Sequence, residues 1–243
     1  MTILILPLKN LAQDVNTLLR EAQQQESELR EEEAFQKYAQ AVRIQPSNLA
    51  ALCKCSELCS RIGNRQNDKA VKTDYFHAAR TYATAALRVN PNSTEANFVM
   101  AMALGRMALI SSGRDKVEAV NDIRQYAEKS IHLDPDNFKP YHIMGKWNYE
   151  VSNLSVAERT LAKWFFGGVP HASLQDAISN YEKSRTLNPS FVLNYLELAR
   201  AYHRAGQNKQ AQQLLQAMMQ LPNSTFDDPR IKEEGRRMMV DLK

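Results

Sequence analysis

The chain has 243 residues, of which 44% are hydrophobic and 24% charged, and its formal net charge is +4 at pH 7. This composition, with 8 glycines and 9 prolines, argues against a disordered protein and favours a well-packed helical one. Acidic and basic residues are mixed along the chain, so no block of lysine or arginine indicates a nucleic-acid partner. We also expect no transmembrane segment, because no apolar stretch is long enough to cross a bilayer.

The first thirteen residues allow two interpretations. The segment from Thr2 to Leu8 is apolar, and Leu11-Ala12-Gln13 is similar to the end of a cleaved signal peptide. No basic region precedes it and Lys9 interrupts it, so we expect residues 1–13 to be a flexible start of a cytoplasmic protein. The alternative is the remnant of an export signal, which predicts a periplasmic or secreted protein.

Two features of the next hundred residues are interpreted as structural. The run Glu31-Glu32-Glu33 is expected to be a solvated helix face. The three cysteines, Cys53, Cys55 and Cys59, give no disulfide framework and favour a reducing compartment. No histidine lies near them in sequence, so we expect buried, inert thiols and no metal site.

A boundary motif recurs five times and divides the chain into units. Each copy has an aliphatic residue followed by a proline and small polar residues, and each ends an alanine-rich helical stretch, because proline prevents the preceding residue from continuing a helix. The five copies begin at Ile44, Val89, Leu133, Leu187 and Leu221.

The helix before each boundary carries a fixed spacing of small and aromatic residues. Four copies have offsets of 0, 4, 7 and 12, and a fifth reaches its proline one residue early. The copies are Ala34-Tyr38-Ala41-Pro46, Ala79-Ala83-Ala86-Pro91, Ile123-Ala127-Ser130-Pro135, Ala177-Tyr181-Ser184-Pro189 and Ala211-Leu215-Met218-Pro222. The preceding helices place a small residue between larger ones, as in Tyr141-x2-Met144-Gly145 and Tyr195-x2-Leu198-Ala199. Together these spacings resemble tetratricopeptide (TPR) repeats, in which two helices of a hairpin cross closely at the small residue.

The distances between boundary prolines are 45, 44, 54 and 33 residues, whereas the ordinary repeat has 34. Three units therefore carry inserts between their two helices, at residues 63–73, 111–116 and 152–173. We expect the first two inserts to lengthen helices or turns. The third predicts an added short helix over residues 154–166, whose Trp164, Phe165 and Phe166 either fill a gap between hairpins, which we favour, or anchor a membrane or partner.

These patterns predict an all-α, right-handed TPR-like α-α superhelix, or solenoid, of about five helical hairpins with inserts. Residues 14–243 are expected to form a single domain. A final helix over residues 227–242 is expected to cover the exposed end of the array, with Asp227 or Asp228 as its cap and Pro229 in its first turn.

The third unit carries a more specific resemblance. The segment from Gly145 to Ser155, the run Trp164-Phe165-Phe166-Gly167-Gly168-Val169-Pro170 and the stretch from Ala177 to Phe191 resemble the regulator-of-microtubule-dynamics family. This resemblance implies a link to microtubules in eukaryotes and, in one branch, to organelle contacts and lipid binding. Similar domains occur in bacteria, where microtubules are not an available partner.

In such arrays the first helix of each hairpin lines the concave groove. The repeat register places aromatic, sulfur-bearing and cationic side chains there, so we predict a ligand-binding groove with a basic strip formed by Arg106, Lys146 and Arg200. A solvated set of charges is the alternative. The predicted groove residues are Phe98, Met102, Arg106, His142, Lys146, Tyr149, Arg200 and His203.

The predicted function is a non-catalytic protein-interaction scaffold. A basic strip favours an acidic peptide or an anionic headgroup. Lipid binding in the groove is the second hypothesis, motivated by Phe98, Met102 and Tyr149 and by the family resemblance. Microtubule association in a eukaryotic setting, which the resemblance implies, is the third. Chaperone tails are not expected, because the positions of the TPR carboxylate clamp hold Cys53, Phe98, His142 and Leu196 instead of lysine. The sequence lacks the phosphate-binding, nucleophile and zinc motifs of common enzymes, so no catalytic residue and no cofactor is predicted.

Overall fold

The computed structural model describes residues 8–111, 113–166, 168 and 170–242, and within these ranges the secondary structure is helical. The chain forms two compact units, Met1–Pro91 and Asn92–Lys243. The single domain over residues 14–243 stays a prediction. Residues 1–7, which make up half of the predicted flexible start or signal remnant, lie outside the described residues, and the first helix begins at Leu8.

The first unit holds two helical hairpins. Helix α1 pairs with α2 and α3 pairs with α4, while α2 also contacts α3. Small alanines at the repeat positions are fully buried between the helices, together with the ring of Tyr38. The helices are α1 (Leu8–Ser27), α2 (Glu31–Ile44), α3 (Leu49–Arg65) and α4 (Lys69–Val89).

The second unit holds three hairpins, an added helix and a final helix. The hairpins pair α5 with α6, α7 with α9, and α10 with α11, while α8 contacts α6 and α12 covers α10 and α11. The helices are α5 (Thr94–Ile110), α6 (Gly113–Leu133), α7 (Phe138–Ser152), α8 (Val156–Phe166), α9 (Leu174–Leu187), α10 (Val192–Arg204), α11 (Asn208–Met219) and α12 (Asp228–Asp241). The predicted five hairpins and final helix are therefore confirmed.

The boundary motif has a second function besides ending a helix. In three of its copies the polar residue two places after the proline caps the next helix, because its side chain accepts a backbone N–H of the first turn. These caps are Asn48 to Ala51 N, Ser93 to Ala96 N and Asn137 to Lys139 N. The boundary motif thus ends one helix and caps the next.

Close crossing within a hairpin depends on the small residue of the first helix. A Cβ added at Gly145 of α7 would lie 2.5 Å from the Tyr181 ring of α9, a distance at which the ring must move. In the first unit, the Ser56 hydroxyl donates to the Ala79 carbonyl oxygen at 2.8 Å across the α3–α4 crossing. The predicted role of this repeat position is confirmed at both crossings.

The inserts have the predicted form. The first two lengthen helices, since α4 and α6 each have 21 residues whereas α2 has 14. The third forms α8, which has 11 residues. Arg159 of this helix donates to the carbonyl oxygens of Val151 and Ser152 at the end of α7 and of Leu154 in the loop that follows. Arg159 therefore ties the added helix to the end of the helix before it.

The prediction that Trp164 fills a gap between hairpins is wrong. Its side chain is 77% exposed, and the side chains of Phe165 and Phe166 lie outside the described residues. The tryptophan that packs between helices is Trp147 of α7, which is 5% exposed and donates to the Val120 carbonyl oxygen of α6 at 2.7 Å. Trp147 of the repeat therefore packs against the neighbouring hairpin, whereas Trp164 of the insert is exposed to solvent.

The glutamate run is also not a uniformly solvated face. Glu31 is 2% exposed and its carboxylate accepts from Arg61 and, at 2.6 Å, from Arg65 of α3. This ion cluster joins the first hairpin to the second. The cysteines are buried thiols as expected, and burial raises the pKa of Cys55 above its ordinary value and that of Cys59 to about 12.

The final helix begins as predicted, with Asp227 in the N-cap position and Pro229 in the first turn. The bonding is different from a usual cap, because it is the carboxylate of Asp228 that accepts, and it accepts from the preceding loop. It receives the backbone N–H and the hydroxyl of both Ser224 and Thr225, at 2.7 to 3.1 Å. Asp228 therefore fixes the loop that leads into α12.

Candidate functional site

The predicted groove residues all belong to the second unit and lie on the first helices of its three hairpins. These helices, α5, α7 and α10, are neighbours, because α7 contacts both α5 and α10. Six of the eight predicted residues keep solvent-accessible surface. We call the face that they form the first-helix surface, and it consists of Met102, Arg106, Lys146, Tyr149, Arg200 and His203.

Two predicted groove residues are buried instead. Phe98 is 5% exposed, and the ammonium of Lys139 lies 4.9 Å from the centre of its ring. That ammonium also pairs with the Glu95 carboxylate at 2.7 Å. Phe98 therefore packs beneath an ion pair that joins α5 to α7, and little of its ring is available to a ligand.

His142 joins all three helices of the α7–α9–α10 group. Its Nδ1 lies 2.9 Å from the Asn194 side-chain oxygen, and the Asn194 amide donates to the Tyr181 carbonyl oxygen at 2.8 Å. Because the amide nitrogen is used on Tyr181, the asparagine oxygen must accept, and Nδ1 of His142 carries the proton. The imidazole also contacts the rings of Tyr181 and Phe191, with centroids 5.5 and 4.9 Å away.

The protonation of His142 follows from this environment. Burial lowers its pKa, and the positive charges of Lys146 and Arg106 act in the same direction, while the Asn194 bond and the charge of Glu197 oppose them. The net direction is downward, so His142 is neutral at pH 7. It holds the helices together as an uncharged hydrogen-bond donor.

The central feature of the first-helix surface is a chain of alternating charges across α7, α10 and α12. The Lys146 ammonium lies 3.0 Å from Glu150 and 3.1 Å from Glu197, and Arg200 donates to Glu197 at 2.8 Å and also to Glu234. Lys146 and Arg200 thus share the Glu197 carboxylate, one on each oxygen. The predicted strip of cations is therefore a strip of ion pairs.

The ionisation of this chain is set by its own members. Burial raises the pKa of Glu197, but the charges of Lys146 and Arg200 outweigh burial and leave that pKa below its ordinary value. Burial lowers the pKa of Lys146 and of Arg200, and the neighbouring carboxylates reverse the shift, so both values are raised. All three groups are charged at pH 7.

Tyr149 continues this surface toward the end of α7. The Lys146 ammonium lies 5.7 Å and the Arg204 guanidinium 5.1 Å from the centre of its ring. Arg204 also donates to the Tyr149 carbonyl oxygen at 2.9 Å. Two cations on one aromatic ring hold the ring in place.

His142 and His203, which lie on the neighbouring first helices α7 and α10, have different hydrogen-bond partners. His142 is bonded to Asn194 as described, whereas His203 is exposed and its Nδ1 lies 2.8 Å from the Asn208 side-chain oxygen at the start of α11. Among the described residues, neither ring has a carboxylate hydrogen-bond partner. The arrangement does not form an acid–base pair.

Sequence reasoning missed the carboxylate at the centre of the charge chain, Glu197. It lies inside the apolar stretch Tyr195–Ala199 and is 7% exposed. An acidic residue on the buried face of a helix needs a cationic partner, so Glu197 was itself a signal that nearby cations are neutralised. The partner Lys146 is 51 residues away in sequence, which periodicity within one helix cannot reveal.

The part of the chain that the structure describes contains neither a metal-ligating cluster nor a membrane-spanning helix. No group of three or more metal-ligating side chains converges there. Within the same ranges, no helix is both long and apolar enough to cross a membrane.

Comparison with known proteins identifies a matching protein family and relatives of similar sequence. The family model described as Regulator of microtubule dynamics protein 1-3 matches residues 18–243. Regulator of microtubule dynamics protein 3 of Rattus norvegicus is 25% identical over 233 residues, which are 95% of this chain and 50% of that protein. Regulator of microtubule dynamics protein 1 of Caenorhabditis elegans is 23% identical over 189 residues, which are 77% of this chain and 81% of that protein. The chain spans about half the length of the rat relative.

Solved structures agree on the fold. A TPR protein of Thermus thermophilus superimposes with a TM-score of 0.69 at 13% identity, over 93% of this chain and 99% of that one. The pilF protein of Pseudomonas aeruginosa gives a TM-score of 0.56 at 12% identity, over 96% and 90%. The all-α, TPR-like solenoid fold is therefore confirmed.

Proposed function

The chain belongs to the Regulator of microtubule dynamics protein 1-3 family, and on this premise we propose that it is a scaffold whose first-helix surface binds an extended segment of a partner protein. Members of this family are regulators and not enzymes, so the chain is non-catalytic. The site residues that we assign to ligand contact are the six of the first-helix surface. Phe98 and His142 support them from beneath.

The observation that carries this proposal is the pair of partly exposed cations. The side chains of Lys146 and Arg200 are 39% and 30% exposed, and both are fixed by Glu197. A side chain that is already held in one geometry loses little entropy when it binds a ligand. Lys146 has three N–H donors and Arg200 has five, so donors remain for a ligand after the internal ion pairs are made.

The dimensions of the surface favour an extended peptide. Packed helices lie roughly 10 Å apart, so the three first helices present cations over about 20 Å. An extended chain of about six residues spans that distance. A single carboxylate of such a peptide, from a side chain or the C-terminus, matches the remaining donors through charge-assisted bonds.

The test is affinity purification of the chain from its native organism, with mass spectrometry of the bound proteins. The test variant replaces Arg106, Lys146 and Arg200 with alanine. The control replaces Arg230, Arg236 and Arg237 of α12, which removes the same charge from an exposed helix. We expect the first variant to lose the specific partner and the control to keep it. Normal capture by the first variant, with a wild-type circular dichroism spectrum, would refute the proposal.

Microtubule association is a second candidate, favoured by the family to which the chain belongs. Co-sedimentation of the purified chain with polymerised tubulin tests it directly. Saturable pelleting that is lost in the triple variant supports a role for the first-helix surface. This candidate requires a eukaryotic, cytoplasmic setting, which stays a prediction.

Binding of a lipid headgroup is a third candidate, because a headgroup phosphate would pair with the same cations. The burial of Phe98 and His142 removes two of the rings expected to line an apolar groove, which favours the peptide over an acyl chain. Native mass spectrometry of the purified chain, before and after incubation with anionic phospholipid, distinguishes the two.

A further inference from the structure

The charge chain is not symmetric with respect to solvent. The carboxylate at its centre, Glu197, has a side chain that is 9% exposed, whereas Glu150 and Glu234 at its ends are 57% and 45% exposed. Water weakens the field of the outer carboxylates more than that of the buried one. Glu197 is therefore the acidic group with the strongest influence on the two cations.

We propose that Glu197 is the specificity-determining residue of the first-helix surface. Its buried negative charge offsets the cations, so the surface accepts one carboxylate in a fixed position and does not bind polyanionic chains by charge alone. This inference rests on the proposed function and adds to it the class of ligand that the surface rejects.

The charge balance supports this role. In the charge chain two cations, Lys146 and Arg200, pair with three carboxylates, Glu150, Glu197 and Glu234. Arg106 adds a third positive charge to the first-helix surface, so the formal charges of these six groups sum to zero. A patch with no net charge gives little long-range attraction to a polyanion. Short-range bonds to the remaining N–H donors are unaffected, because they depend on geometry.

The internal ion pairs also orient the donors. One Glu197 oxygen accepts from Lys146 and the other from Arg200, so the carboxylate fixes both side chains from two neighbouring hairpins at once. Glu197 acts on the ligand through these cations and is a positioning residue. A purely structural role would alter stability without altering the preference between ligands of different charge.

The test uses two fluorescein-labelled decapeptides, one made of ten glutamates and one with a single glutamate among nine serines. Anisotropy titrations compare the wild type with Glu197→Gln, which keeps the shape of the side chain and removes its charge. The matched control is Glu128→Gln on α6, an exposed glutamate whose loss changes the net charge equally. A second variant, Lys146→Gln with Glu197→Gln, restores the local charge balance.

We expect the wild type to bind the two peptides within about twofold of each other. In Glu197→Gln, affinity for decaglutamate should rise about threefold to tenfold, as an uncompensated unit charge near the ligand predicts. The control and the double variant should remain at the wild-type ratio.

Three results would overturn the inference. The first is a strong preference of the wild type for decaglutamate over the peptide with a single glutamate. This measurement needs no variant, so it tests the inference even if Glu197→Gln does not fold. The second is an equal rise in the Glu128 control, and the third is no binding of either peptide to any variant. If the alanine variant of Arg106, Lys146 and Arg200 still loses its native partner in those cases, the proposed function stands and only the role of Glu197 fails.

Discussion

Two tyrosines at the same repeat position have different surroundings, and this difference predicts opposite effects of one substitution. Tyr38 of α2 and Tyr181 of α9 are both almost fully buried. The Tyr38 hydroxyl donates to the Glu26 carboxylate at 2.7 Å. The buried Tyr181 hydroxyl has no hydrogen-bond partner among the described residues. We expect Tyr38→Phe to destabilise the protein and Tyr181→Phe to leave it as stable or make it more stable.

The magnitudes follow from the cost of burying a polar group. A hydrogen bond to a charged group contributes about 1.5 to 3 kcal/mol, and Glu26 keeps its ion pair with Lys54, so we expect Tyr38→Phe to cost about 1.5 kcal/mol. A buried hydroxyl without a partner costs about 1 to 3 kcal/mol, and Tyr181→Phe removes this cost. The two substitutions should therefore differ by about 3 kcal/mol in the free energy of unfolding.

Urea unfolding monitored by two signals separates the two halves of the chain. Both tryptophans, Trp147 and Trp164, belong to the second unit, so fluorescence reports on the unit that contains Tyr181. Far-ultraviolet circular dichroism reports on all helices and includes the unit that contains Tyr38. The Tyr181→Phe midpoint is read from fluorescence and the Tyr38→Phe midpoint from circular dichroism.

A loss of more than about 1 kcal/mol in Tyr181→Phe would refute the reasoning, since it would require a bond that the Tyr181 hydroxyl makes in the folded state. Equal losses in both variants would show that the ring position alone, and not the hydroxyl, sets the effect.

Four further predictions concern the residues that join the helices. Gly145→Ala should lower the free energy of unfolding by about 1 to 2 kcal/mol, because the new Cβ meets the Tyr181 ring. Gly105→Ala should raise it by about 0.5 to 1 kcal/mol in the same urea assay, because no atom lies within 4 Å of the added Cβ. The low pKa of His142 means that unfolding takes up a proton below about pH 6.5, so stability should fall with decreasing pH by at most about 1.4 kcal/mol per unit. His142→Gln should flatten that slope in urea titrations between pH 5 and 7. Glu31→Ala should cost about 3 kcal/mol, against less than about 0.5 for the exposed Glu32→Ala, and similar losses would contradict the buried cluster. Trp164→Ser should leave the thermal midpoint by circular dichroism unchanged, whereas Trp147→Phe, which loses the bond to Val120, should lower it.

The sequence predicted the helices well because the signals for them are local. The proline at each boundary and the residue two places later act on the backbone of their own segment, as the caps at Asn48, Ser93 and Asn137 show. Close crossing at Gly145 was also predictable, because a hairpin pairs two helices at a fixed offset in the repeat. The added helix α8 followed from the length between prolines.

The position of Trp164 was not predictable from the same signals. The insert lies outside the repeat, so no periodic pattern indicates which side of α8 faces α6. The prediction that Trp164 is buried rested on the average tendency of aromatic residues to be buried, and this tendency does not hold for Trp164. Trp147, by contrast, lies within the first helix of its hairpin, and its indole N–H donates to the Val120 carbonyl oxygen of α6.

The ion pairs of the candidate site were not predictable for a related reason. The repeat register assigns Lys146 and Arg200 to a common face, and Glu197 lies only three residues before Arg200 on α10. The pairing of Glu197 with Lys146 of α7 crosses from one hairpin to the next, so the register of a single helix does not reveal it. The same holds in the first unit, where Glu31 of α2 accepts from Arg61 and Arg65 of α3. In both units a buried glutamate joins cations of one hairpin to the next hairpin. Because breaking such a pair leaves an uncompensated charge in a buried site, these glutamates fix how neighbouring hairpins stack within each unit. The repeat therefore specifies the hairpin, whereas buried acids such as Glu31 and Glu197, which do not follow the repeat, set the stacking and the charge that a ligand meets.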